Sequence, residues 1–141
     1  MNLLFSPKKY LIVSLVILIP VGLATKHYTG PAADIIVNHS GGTFYVIFWC
    51  LFLKLILIRS KPVYICLFSL IITCMIELLQ LWHPPFLEII RSNYAGRILW
   101  GSSYSTADFP WYILGSIIGW IWIWLIYILT DQSQQIQKPI R

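Results

Sequence analysis

Four long apolar runs, 10–25, 41–58, 62–82 and 109–130, occupy most of this chain and are parted only by short polar breaks. A helix needs about 20 largely apolar residues to cross a bilayer, because the hydrocarbon core is about 30 Å thick and each residue rises about 1.5 Å. Backbone N–H and C=O groups find no water there, so each run must satisfy its own hydrogen bonds as a helix. The runs predict an all-α fold, a polytopic membrane four-helix bundle. At 141 residues, 58% hydrophobic and 11% charged, the chain has room for four or five spans and no separate soluble domain, so 1–141 reads as a single transmembrane domain.

The breaks carry their own signals. Pro62 suits the first turn of the third span, and Pro84-Pro85 stop it. Phe86 to Tyr94 places greasy residues beside Glu88 and Arg91, the pattern of a short interfacial helix between spans 3 and 4. Segment 26–40, with Gly30, Pro31, Asp34 and Asn38, reads as a polar connection, and 96–106 as a loop. The polar tail from Asp131 reads as a frayed end. Lys8 and Lys9 ahead of the first apolar run also fit a cleavable signal peptide; lacking an A-x-A site, the run is read as a retained helix.

Ten Lys and Arg against five acidic residues give a net charge of +5, but the basic residues are scattered rather than clustered. They therefore report topology, and nucleic acid is not an expected partner. Four spans put Lys8, Lys9, Lys54, Arg59, Lys61, Lys138 and Arg141 on one side and Lys26, Arg91 and Arg97 on the other, which predicts that both termini are cytoplasmic. Lys54 is expected to snorkel toward Arg59 and Lys61. Cys50, Cys66 and Cys74 lie in apolar runs without CxxC spacing and read as small hydrophobes. His27, His39 and His83 have no ligand spacing, so neither a metal nor a cofactor is expected. The serines at 102, 103 and 105 have no nearby His and no GxSxG frame to support a nucleophile.

The residues least at home in a membrane lie between Glu77 and Gly119. A carboxylate five residues short of Trp82 sits about 7 to 8 Å below the end of its helix, so Glu77 must face protein or a water-filled cleft. Gln80 shares its face three residues on, and Cys74 three residues before. One expectation is a salt bridge from Glu77 to Arg91 or Arg97 that pins the following loop over the bundle. The other is a polar pocket built from Glu77, Gln80, Arg91, Arg97, Asp108 and Tyr112 that takes a ligand head group. Asp108 also suits the start of the fourth span as a cap. Tyr112, Gly115 and Gly119 follow Asp108 at steps of four, three and four, so they share one face, and the glycines form a GxxxG pattern for close packing, expected against the third span. Trp120, Trp122, Trp124 and Tyr127 read as an interfacial or lipid-facing belt.

ExxQLW from Glu77 to Trp82, FLEIIR ending at Arg91, GRILWG from Gly96 to Gly101 and DxxxYxxGxxxG from Asp108 to Gly119 resemble a bacterial family of small multi-pass membrane proteins of unknown function, distantly similar to the VanZ-like proteins associated with teicoplanin resistance. The chain departs from the VanZ-like pattern at Tyr112, where that pattern has Asn, at Ser102, where it has Arg, and at Gly42, where an acidic residue is common. The resemblance implies a bacterial inner (plasma) membrane location and an envelope role. Membrane lipids are the expected partners, with a lipid-linked envelope precursor or another membrane protein beside them. The leading reading is a non-enzymatic protein whose outward-facing polar site binds a lipid-linked or cell-wall-related head group. A membrane enzyme using Glu77 or Asp108 as acid or base, and an assembly subunit docking through its glycines and aromatics, are the rivals.

Overall fold

A computed structural model describes residues 6–100 and 104–136. Among the described residues there is no strand, and four helices are long and apolar enough to cross a membrane. They are α1 (Pro7–Ala24), α2 (Ala33–Ile56), α3 (Pro62–Leu79) and α6 (Phe109–Ile136). Two short helices, α4 (Pro85–Ser92) and α5 (Tyr94–Trp100), join α3 to a 3-10 turn at Thr106–Asp108 that leads into α6. The chain is thus an all-α integral membrane protein. Gly101, Ser102, Ser103, Lys138 and Arg141, named above on sequence grounds, lie outside the described residues.

Proline sets three of the helix starts. Pro7, Pro62 and Pro85 stand in first turns, where the missing N–H has no intrahelical partner to lose. α2 begins well before residue 41: Ala32 takes a left-handed conformation at φ 58°, and the helix starts at once. Polar residues 34–40 are helical, with the Ser40 hydroxyl donating back to the Ile36 carbonyl, so the expected connection shrinks to a few residues around Gly30 and Pro31. The first part of the expected loop, up to Trp100, is also helical. Gly96 explains it: a Cβ there would lie 1.8 Å from the Ile90 carbonyl oxygen, so this glycine serves close helix contact, not a turn.

α2 and α6 form the central pair, and α1 and α3 each pack on both of them. No comparable packing joins α1 to α3, which leaves those two helices on opposite flanks. Gly115 and Gly119 face α2, not α3. A Cβ at Gly115 would sit 2.6 Å from the Thr43 carbonyl oxygen, and one at Gly119 would sit 2.9 Å from the Cys50 Cβ. Sequence order suggested α3 because it is the preceding span, whereas the close approach that these glycines allow is used across the central pair. The Thr43 hydroxyl reinforces it by donating to the Trp111 carbonyl at 3.1 Å. The core around this seam holds Leu11 and Leu18 from α1, Val46 and Leu51 from α2, Cys66 from α3 and Ile123 from α6.

α3 is turned inside out relative to a helix of a water-soluble protein. Cys66, Ser69, Thr73 and Glu77, at steps of three, four and four, are buried, while Leu67, Phe68, Ile71 and Met75 are exposed. Ser69 and Thr73 return their hydroxyls to the carbonyls of Ile65 and Ser69, at 2.9 and 2.8 Å, and Ser116 of α6 donates across to Cys66 O at 3.1 Å. The apolar side faces what would be lipid, and the polar stripe faces protein.

At the end opposite Glu77, Lys54 reaches toward Arg59 and Lys61 as expected, but its ammonium stays buried instead of emerging. It is 2% exposed, its ammonium donates to the carbonyls of Ile58 and Ser60 at 2.8 and 2.5 Å, and it lies 4.8 Å from the centre of the Tyr127 ring. The α2–α3 turn curls its carbonyls back over the last turn of α2 and supplies both acceptors. Tyr127 closes the same turn by donating to Ile58 O, and the Trp122 indole donates to the Ser14 hydroxyl. Only Trp120 and Trp124 of the expected belt are exposed.

Candidate functional site

The α3 polar stripe ends in Glu77 and Gln80, and the fold brings α6 to it. Gly42 makes this possible. A Cβ at position 42 would fall 2.6 Å from the Tyr112 ring, so the missing side chain on α2 leaves the space through which Tyr112 reaches α3. The Tyr112 hydroxyl donates to Glu77 Oε2 at 2.5 Å, and Gln80 Nε2 donates to the same oxygen at 3.2 Å. Glu77 Oε1 accepts the Ser105 backbone N–H at 2.7 Å. Glu77 is 2% exposed, and every one of these partners is a donor, which fits a carboxylate held by hydrogen bonds rather than by a cation.

The expected ion pair with Arg91 does not form. Arg91 is buried, but its guanidinium donates to the carbonyls of Trp82 and Leu79 at 3.3 and 3.2 Å. It thereby caps α3, which stops at Leu79 rather than Trp82, where a turn in which the Trp82 N–H also donates to Leu79 O leaves the negative end of the helix dipole beside the guanidinium. Arg97, on α5, makes no ion pair with Glu77; it is exposed and lines the same cavity.

Asp108 also lines that cavity, although its carboxylate meets neither Glu77 nor Tyr112. It faces His39 of α2 instead, Nδ1 to Oδ1 at 3.0 Å, and His39 stacks on Trp111 with ring centres 5.7 Å apart. Glu77, Gln80 and Tyr112 therefore form one hydrogen-bonded group, with Asp108 and Arg97 facing the same space. Arg91 belongs to the α3 cap, and Gly115 and Gly119 belong to the α2–α6 seam.

The space itself is a cavity of about 900 Å³ between the flanking helices α1 and α3, with α2 as its floor. Its apolar wall includes Leu18 and Ile19 of α1, Phe44 and Phe48 of α2 and Ile76 of α3. Phe48 lies six residues, about 9 Å, along α2 from Gly42, so the apolar part runs down into the bundle from the polar rim. Lys26 in the turn after α1 and Tyr45 of α2 also belong to the wall, and the sequence did not single them out for it. Tyr45 donates to Leu99 O at 2.8 Å and so ties α5 to α2. Its spacing from Gly41 and Phe48 is the only sequence hint that it shares their face.

One polar atom in this group is unused. Gln80 is buried, its Nε2 is fixed by Glu77, and its Oε1 has no partner. Rotating the amide would put that oxygen against a carboxylate oxygen, so the unpartnered atom is an acceptor. Among the described residues no group of three or more His, Cys, Asp or Glu side chains is placed to hold a metal ion.

No curated protein and no solved structure matches this chain. A family model described as a protein of unknown function, DUF2809, matches residues 31–116, which hold α2 to α5, the Glu77 group and the first turns of α6. This covers more than half of the chain, which therefore belongs to the DUF2809 family.

Proposed function

We propose that this protein is a non-enzymatic lipid-binding component of the envelope, set in the plasma membrane of a bacterium with both termini cytoplasmic and the Glu77 group facing outward. The observation that carries the reading is the shape and polarity of the cavity. An apolar trough between α1 and α3 leads into a rim of Glu77, Gln80, Arg97 and Asp108, which suits a molecule with one greasy and one polar end. Because α1 and α3 are not packed together, such a molecule has a lateral route from the bilayer. The three donors already on Glu77 favour a positioned acceptor over a group that cycles its proton, so binding is preferred to acid–base turnover. The distant VanZ-like resemblance of the Glu77 to Gly119 motifs supports an envelope role, and the excess of Lys and Arg at the Lys54 end supports the orientation.

Native mass spectrometry after incubation with a total bacterial lipid extract tests the binding. A retained lipid that leaves its mass unchanged over time is expected; steady conversion to a product would point to an enzyme. Orientation is read from cysteines placed at Ser92 and Lys61 in a cysteine-free background. Ser92→Cys should label in intact cells and Lys61→Cys only after permeabilisation, and the reverse would overturn the topology.

A further inference from the structure

The charged side chains in the cavity wall are unevenly satisfied. Glu77 accepts three hydrogen bonds and Asp108 is paired with His39, so the two acidic groups are already answered by protein. The two basic groups are not. Among the described residues the Arg97 guanidinium has no hydrogen bond or ion pair, and Lys26 spends one donor on the Val37 carbonyl at 3.1 Å. A guanidinium and an ammonium approach the cavity from different sides, one from α5 and one from the turn after α1. What remains open in the site is therefore cationic, and it complements an anion, for which a phosphate oxygen is the best match to a guanidinium fork.

The second open valence is Gln80 Oε1, buried and unpartnered on a residue that lines the same cavity. A buried acceptor without a donor costs free energy that a ligand O–H or N–H recovers. We propose that the occupant is an anionic glycerophospholipid whose head group carries a hydrogen-bond donor: its phosphate sits between Lys26 and Arg97, its donor reaches Gln80 Oε1, and an acyl chain follows Phe44 and Phe48 into the trough. This rests on the lipid-binding reading above and specifies the lipid. A zwitterionic choline head group lacks the donor and brings a third cation to the two already present, so it is rejected on both counts.

The test is competitive native mass spectrometry of the full chain in mixed micelles. Phosphatidylglycerol should be retained about tenfold over phosphatidylcholine, the scale of one hydrogen bond to a charged group. Arg97→Gln, at an exposed position, should bring that ratio close to parity, and Arg97→Lys should keep most of it. Phosphatidylmethanol, an anionic diester without a free hydroxyl, isolates the other contact. The wild-type chain should prefer phosphatidylglycerol to it several-fold, and Gln80→Met should erase that preference while leaving both ahead of phosphatidylcholine. Equal retention of phosphatidylglycerol and phosphatidylcholine by the wild-type chain would overturn the anion assignment and leave the lipid reading standing. Equal retention of phosphatidylglycerol and phosphatidylmethanol would overturn the Gln80 contact. Retention of none of the three would sink both the assignment and the reading beneath it.

Discussion

Lys54 and Glu77 are each 2% exposed, sit near opposite ends of the same bundle, and are held in different ways. Lys54 finds its carbonyls four and six residues along the chain, and the Tyr127 ring covers it, so the turn between α2 and α3 wraps around the charge. Glu77 draws its partners from 28 and 35 residues away as well as from Gln80, and the group they form borders a large cavity with one acceptor left over. Depth of burial is equal at the two places, so depth does not mark a site. What differs is open volume beside unmade hydrogen-bonding capacity: one acceptor stays without a donor next to the cavity at the Glu77 group.

The contrast can be broken outright at the seam that both ends share. Gly119→Leu forces a side chain into the place of the Cys50 Cβ and drives α2 from α6, so the loss of thermal stability in detergent should be the largest of any single change, about 3 kcal/mol or more. Trp124→Leu on the exposed side of the same helix should do almost nothing. Equal effects would mean that the seam is not the bundle's main contact.

Next in size is Lys54→Met, which removes a charged donor from two carbonyls and should cost about 2 kcal/mol in the same assay. Lipid retention by the folded fraction should be unchanged. A loss of lipid from a stable Lys54→Met protein would erase the distinction between the two ends.

Tyr112→Phe keeps the ring and deletes one donor to Glu77. Interhelical hydrogen bonds in membranes are weak, so the stability cost should be about 1 kcal/mol. The larger change should be in which lipid is retained, since Glu77 Oε2 then keeps the Gln80 amide as its one remaining donor beside the cavity. Smallest of all is the coupling between Glu77→Gln and Arg91→Met, whose side chains share no partner; their effects should add to within about 0.5 kcal/mol. Strong coupling would restore the ion pair that the geometry lacks.

The parts legible in the sequence are those governed by helical spacing. The four spans, the Glu77–Gln80 step and the common face of Tyr112, Gly115 and Gly119 follow from a period of 3.6 and from the cost of a charge among apolar residues. What could not be read has a common cause. Arg91 and Lys54 are answered by backbone carbonyls, which every residue carries and no letter records, whereas opposite charges are visible and invite pairing. His39 meets Asp108 across 69 positions, and the α2 partner of the glycines likewise depends on which helices become neighbours. Gly96 shows a subtler limit: the same residue type marks a turn in one place and helix contact in another, and only the neighbouring carbonyl decides.

Gly42 and Tyr112 draw on a single volume, since a side chain at 42 would overlap the ring. The two positions are therefore bound in inheritance. Bulk gained on α2 has to be surrendered on α6, and because both residues border the cavity, a side chain placed at 42 would enter the volume that the tyrosine ring now fills beside Glu77. A change at either position therefore has to be answered at the other if the contact to Glu77 is to be kept.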